Sequence, residues 1–174
     1  DRDPEVAAEA AEAAGGATAA LDGATVFDVV AIAVPMSAVG DAIEAQADRA
    51  RYAILDVAGE MGTPLDAMAE HAPDLERASL HPLFAPENEP GTVAVVVDAA
   101  GPEIDAVLGD LEAAGNELLS TTPAEHDRAM ESVQAAAHAA IVAYGLAREP
   151  VPDGFSTPVS AALDDLLERV TDGD

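Results

Sequence analysis

Hydrophobic and polar positions alternate along this chain between two periods. Continuous β-branched runs occur at TVFDVVAIAVP (25–35), RYAILDVAG (51–59) and TVAVVVDAA (92–100), the pattern of strands buried on both faces of a parallel sheet. ERASLHPLF (76–84) reads as a further strand and NELLSTT (116–122) as a short fifth. Segments with helical spacing lie between them. In DRDPEVAAEAAEAAGG, Asp3 is placed as an N-cap, Pro4 as the first helical residue, and Gly15 and Gly16 as the stop. Ser37 is placed to cap a helix reaching about Arg49, and Thr63 to cap TPLDAMAEHA (63–72); Gly115 closes PEIDAVLGDLEAAG (102–115). Strands alternating with helices predict an α/β fold with a parallel sheet and right-handed crossovers.

After Thr122 the strand period disappears. PAEHDRAMESVQAAAHAAIVAYGLA (123–147) runs without a breaker until Gly145, PVPDG (150–154) interrupts, and STPVSAALDDLLERV (156–170) gives one more helix. The expected division is an α/β part over 1–122 and an all-α part over 123–174.

Charge changes the picture more than size does. Thirty-four acidic residues stand against seven basic ones, a net charge of −27. Such a surface repels a phosphate backbone, so nucleic acid is not an expected partner. All seven bases are arginine, and the acids are scattered among apolar periodic segments instead of forming a tail. With 49% hydrophobic residues, disorder does not fit, and the expectation is a protein adapted to high salt, where self-repulsion is screened within a few ångström. No apolar run approaches the ~20 residues of a membrane span, and the opening residues are too charged for a signal peptide. A cytoplasmic protein with no membrane partner is therefore expected. The chain has no cysteine, which removes disulfides, thiol catalysis and Cys-based zinc sites together.

Four histidines carry the candidate chemistry. His81 stands at the carboxyl end of an expected parallel strand, where open α/β sheets bind ligands. His71 ends a helix beside Asp74 and Glu76 and reads as a surface residue. His126, Met130, Gln134 and His138 step by four along the long helix and share one face. His126 and His138 lie about 18 Å apart by helix rise, so no metal site is expected from them; His126, at the start of the helix beside Asp127, reads as a capping residue. Asp1 and Asp3 would suit the ribose-binding acid that ends the second strand of a dinucleotide fold.

Taken together, DVVAIAVP (28–35), ILDVAGEMGTPLDAM (54–68), LHPLFAP (80–86) and EHDRAMESVQAAAHAAIVAYGLA (125–147) resemble the prephenate/arogenate dehydrogenase family in order and spacing. The resemblance implies a partial Rossmann-type parallel sheet followed by an all-α helical dimerisation domain. It further implies NAD as cofactor, with NADP open because Arg2 adjoins Asp1, prephenate as substrate, and a homodimer. By resemblance His81 accepts the substrate's hydroxyl proton, His138 and Gln134 help bind substrate with Gly59 in the same site, and Asp1, Val34 and Pro35 lie against the cofactor.

Three departures accompany the resemblance. The glycine-rich turn of the dinucleotide fold is absent, so the chain is expected to begin at the end of the second strand. The family's D-x-x-S-x-K carries Gly59 and Met61 at its serine and lysine positions. The arginine that binds a substrate carboxylate aligns loosely with Ser160, leaving Arg148 or another cation to substitute. Arogenate as substrate, or a non-catalytic dimerising sensor, are the alternatives these departures leave open.

Overall fold

The structure is a computed structural model that describes residues 3–149 and 155–172, apart from the side chains of Gln134 and Asp172. The chain divides into two compact units, Asp1–Ser120 and Thr121–Asp174.

The first unit contains α1 (Pro4–Ala13), β1 (Phe27–Ile32), α2 (Val39–Gln46), β2 (Ala50–Asp56), α3 (Gly62–His71), β3 (Glu76–Pro82), β4 (Thr92–Ala99), α4 (Pro102–Ala113) and β5 (Glu117–Ser120). The five strands form one sheet in the order β1-β2-β3-β4-β5. β1, β2 and β3 run parallel, and β4 and β5 are parallel to each other. β4 runs antiparallel to β3, pairing His81 with Ala94 and Pro82 with Val93, which corrects the fully parallel expectation. The reason lies in the connection: only residues 83–91 separate the two strands, whereas a parallel crossover needs a dozen or more.

Alternation along the strands builds two cores. Ile32, Ile54, Ala94 and Val96 pack with Val39 and Ile43 of α2 and with Leu65 and Met68 of α3. Ala53, Leu55, Ala78, Leu80, Val93 and Val95 face the other way, against Ile104 of α4. Each fully buried aliphatic side chain contributes roughly 1.5–3 kcal/mol, so this unit is a helix–sheet–helix sandwich with its core split by the sheet.

Local expectations fare unevenly. α1 begins as read, with Asp3 accepting the Glu5 amide at 2.8 Å and Gly15 turning out at φ +66°. β1 is not buried on both faces; only Ile32 is buried, because among the described residues no strand lies beyond β1. Ser37 caps nothing. Pro35, at φ −54° and ψ 145°, leads straight into a 3-10 turn over Met36–Ala38, so Ser37 is already inside a helical turn. Thr63 likewise lies within the first turn of α3, donating to Glu60 at 3.1 Å.

The second unit consists of α5 (Pro123–Ala147) and α6 (Pro158–Asp172). Thr122 caps α5 by accepting the Glu125 amide, with Pro123 at the first helical position. α6 opens with a reciprocal cap. The Thr157 amide donates to the Ser160 hydroxyl at 2.9 Å, and the Ser160 amide to the Thr157 hydroxyl at 3.2 Å. Between the helices, the Tyr144 hydroxyl donates to Asp164 at 2.9 Å, and Arg148 also donates to Asp164. No helix among the described residues is long and apolar enough to cross a membrane.

Candidate functional site

Parallel pairing brings the carboxyl ends of β1, β2 and β3 to one edge of the sheet. Val34 and Pro35 follow β1 there, both exposed. Gly59 lies in the turn after β2, and His81 is the penultimate residue of β3, half-buried. These four positions, scattered over almost 50 residues, thus share an edge that the topology alone creates.

Gly59 and His81 come closest. A methyl group added at Gly59 would lie 3.9 Å from both Cε1 and Nε2 of His81, and nothing else would stand within 4 Å of it. The backbone of the β2–α3 turn therefore faces the proton-exchanging edge of the imidazole, with room for a small side chain between them.

The turn is shaped from below by Asp56, the last residue of β2 and wholly buried. Its Oδ2 accepts the Ala58 amide at 2.8 Å, two residues on, an Asx-type turn. Asp56 pairs in register with Ser79 on β3, so the two side chains share a face of the sheet, and His81, two residues along β3, shares it too. Burial pushes the Asp56 carboxyl up to about 6, against which the Ala58 amide and, more weakly, the Ser79 hydroxyl favour the ionised form. That hydroxyl is near enough to act on the carboxylate but does not close a hydrogen bond, and Oδ1 of Asp56 and Oγ of Ser79 are both buried without a partner. Asp56 is the acid that opens the family's D-x-x-S-x-K pattern (56–61), and it directly follows the apolar Ile54 and Leu55 in a strand expected to be buried, but neither signal assigns it a role.

The remaining expected site residues belong to the second unit or fall outside the described set. His138 is exposed on α5, and Gln134 lies on the same helix with its side chain outside the described residues. Asp1 also lies outside them. His126 is not the cap of α5, a role Thr122 takes. It is buried, with Nδ1 2.9 Å from Oδ1 of Asp127. Ser160 is occupied in the cap of α6, and the Arg148 cation is engaged by Asp164. The Asp164 carboxylate that accepts the Tyr144 hydroxyl also raises the pKa of that phenol.

No protein-family model matches the chain. In sequence it is 31% identical over 125 residues to a 4-amino-4-deoxyprephenate dehydrogenase of Streptomyces pristinaespiralis, an alignment covering 68% of this chain and 42% of that protein. The chain thus spans less than half the length of this curated relative. In structure it is similar to a prephenate dehydrogenase of A. aeolicus solved with hydroxyphenyl propionate and NAD+. The TM-score is 0.73 at 15% identity, over 100% of this chain and 68% of that one. It is similar also to an arogenate dehydrogenase of Synechocystis, with a TM-score of 0.61 at 16% identity, over 99% of this chain and 69% of that one. At these identities the structural likeness establishes the fold: a Rossmann-like sheet followed by helices.

Proposed function

We propose, from the premise that the chain belongs to the prephenate and arogenate dehydrogenase family, that its protein is a nicotinamide-dependent oxidoreductase of aromatic amino-acid biosynthesis. Its reaction in this reading is the oxidative decarboxylation of prephenate to 4-hydroxyphenylpyruvate. The observation that carries the reading is the approach of Gly59 to the Cε1–Nε2 edge of His81, where three parallel strands end.

His81 accepts the proton of the substrate's ring hydroxyl as the hydrogen on the same carbon leaves with its electron pair. Imidazole is the side chain suited to that transfer near neutral pH. Carbon dioxide departs, leaving its bonding pair in the ring, which becomes aromatic; the proton held by His81 returns to the phenolate oxygen, and the step is effectively irreversible. Bound NAD, or NADP, supplies the hydride acceptor. The chain's surface at this edge fits such a group, since Val34 and Pro35 are exposed apolar residues just after β1, at the sheet edge where β3 brings His81. Asp1 is the proposed ribose ligand. His138 and Gln134 of α5 contribute to substrate binding, and the protein works as a homodimer.

A second reading has its own support. Gly59 brings no hydroxyl to His81, and the curated relative is by name a dehydrogenase of an amino-substituted prephenate. Both favour a substrate with an amino group in place of the ring hydroxyl, 4-amino-4-deoxyprephenate; arogenate, which keeps the hydroxyl and carries its amino group on the side chain, is the other amino-bearing candidate. NADH formation by the full-length gene product in molar potassium chloride, with prephenate, arogenate and 4-amino-4-deoxyprephenate in parallel, decides between the readings. Turnover of none of the three by folded, NAD-binding protein would overturn both.

A further inference from the structure

We propose that Asp56 is a positioning residue, whose buried carboxylate fixes the turn Val57–Gly59 where it faces the His81 imidazole, through the Ala58 amide. The inference rests on the proposed role of His81, but its geometry is independent of which substrate is turned over.

The case begins with cost. Asp56 is wholly buried, directly after the apolar Ile54 and Leu55, and among the described residues the Ala58 amide is the one hydrogen bond its carboxylate accepts, with the Ser79 hydroxyl nearby. An isolated buried carboxylate is among the more expensive groups a fold can carry, and an apolar residue would continue the strand at no such expense. Local rules are broken in this way mostly at functional sites. What the carboxylate accomplishes is visible in its bond. The Ala58 amide, 2.8 Å from Oδ2, is fixed in direction, and the next residue is Gly59, whose backbone faces Cε1 and Nε2 of His81 across a space that one methyl group would fill. The register of β2 against β3 completes the arrangement. Asp56 is opposite Ser79, and His81 is two residues further along the same face, so turn and imidazole are anchored to one rigid pair of strands. Releasing Ala58 would free the turn to move away from the ring edge on which proton transfer depends; a 1 Å misplacement there is costly.

The test uses the full-length protein in molar potassium chloride and two variants. Asp56→Asn keeps an oxygen acceptor for the Ala58 amide, and Asp56→Leu keeps the branched shape but removes both acceptors; Asp56→Val stands in if the leucine variant does not fold. Two readouts are taken: the His81 Cε1–H NMR signal, assigned by its loss in His81→Asn, and the separate kcat and KM values for the substrate that wild type turns over. Asp56→Asn is expected to keep the His81 signal in place and kcat within about threefold. The apolar variant is expected to shift the signal and lower kcat tenfold or more, with KM for NAD unchanged. A folded apolar variant with wild-type signal and kcat overturns the proposal. So does an Asp56→Asn variant whose His81 signal is displaced and whose kcat falls tenfold or more, and that arm decides even if no apolar variant folds. Wild type inert with every substrate would sink the functional reading and leave the NMR comparison standing.

Discussion

The carboxylate of Glu76, the first residue of β3, accepts the backbone amide of Ile104 in the first turn of α4 at 2.9 Å, across 28 residues of sequence. The same oxygen takes the Glu103 amide at 2.9 Å. Gly101, the N-cap residue, provides no side chain for these amides, so a strand caps the helix that packs on its own sheet. A charged acceptor at a helix amino terminus is favoured both by hydrogen bonding and by the helix dipole.

Glu76→Ala is therefore expected to cost about 1–2 kcal/mol, a fall in Tm of a few degrees for a chain of this size. Gly101→Ala should cost a similar amount by another route, because a Cβ there would occupy the space of the Glu76 carboxyl. Glu76→Gln should retain most of the stability, since its amide oxygen still accepts. Calorimetry of the three variants checks the idea; equal losses for alanine and glutamine would count against capping.

Asp56 gives a pH dependence of definite sign. Its carboxyl is raised from 3.8 to about 6 by burial in the folded chain. Between those values the folded protein holds a proton that the unfolded chain has released, so this group's contribution to stability falls as pH rises across the window and is level above it. The full effect is on the order of 2 to 3 kcal/mol. Asp56→Asn should thus melt several degrees above wild type at pH 7.5, with the advantage shrinking toward zero below about pH 4. Melting curves of the two proteins that stay parallel from pH 4 to 7.5 would contradict it.

The gap between Gly59 and His81 admits a small side chain. Gly59→Ala and Gly59→Ser should fold with Tm changed by little more than a degree or two, since the added Cβ meets only the imidazole at 3.9 Å. Their effect should fall on selectivity. A serine hydroxyl placed beside Nε2 is expected to raise kcat/KM for a hydroxyl-bearing ring relative to its amino counterpart by roughly tenfold, the worth of one hydrogen bond. His81→Asn, by contrast, should lower kcat by 10²- to 10⁴-fold with either substrate, the usual range for loss of a general base. An unchanged turnover in His81→Asn would remove the histidine from the chemistry.

How far the sequence is legible depends on the range of the forces involved. α5 was readable to the residue, 123–147, because its cap Thr122, its leading Pro123 and its unbroken period are all local. Ser37 and Thr63 were misread as caps because a proline turn in one case, and a helix start at Gly62 in the other, placed each already inside its helix. The direction of β4 was in principle available from the length of residues 83–91, but a β-branched run looks alike in either direction. The Gly59–His81 approach could be anticipated only as a resemblance between motifs, since strand register and not spacing brings the two residues together. Asp56 was legible as a member of the D-x-x-S-x-K pattern and of a buried strand, but its bond to the Ala58 amide depends on how the chain turns after β2, which no local pattern records.

The acidic surface makes the last prediction. A net charge of −27 is little relieved by the basic residues, several of which are already engaged. Arg51 pairs with Asp28, Arg77 with Asp98 and Arg148 with Asp164, while Arg49 is spent on the carbonyls of Leu21 and Thr25. The surplus carboxylates repel across distances that salt cuts from about 10 Å at 0.1 M to about 3 Å at 1 M. Self-repulsion of this kind destabilises the compact state, so Tm should climb by roughly 10 °C or more between 0.1 and 2 M potassium chloride, well beyond the shift of a near-neutral domain. Tetramethylammonium chloride separates the causes. If screening is responsible, it should reproduce most of the rise below 1 M. If Tm responds to potassium alone, specific hydration of the carboxylates by that cation is the stabilising agent, and the screening account fails.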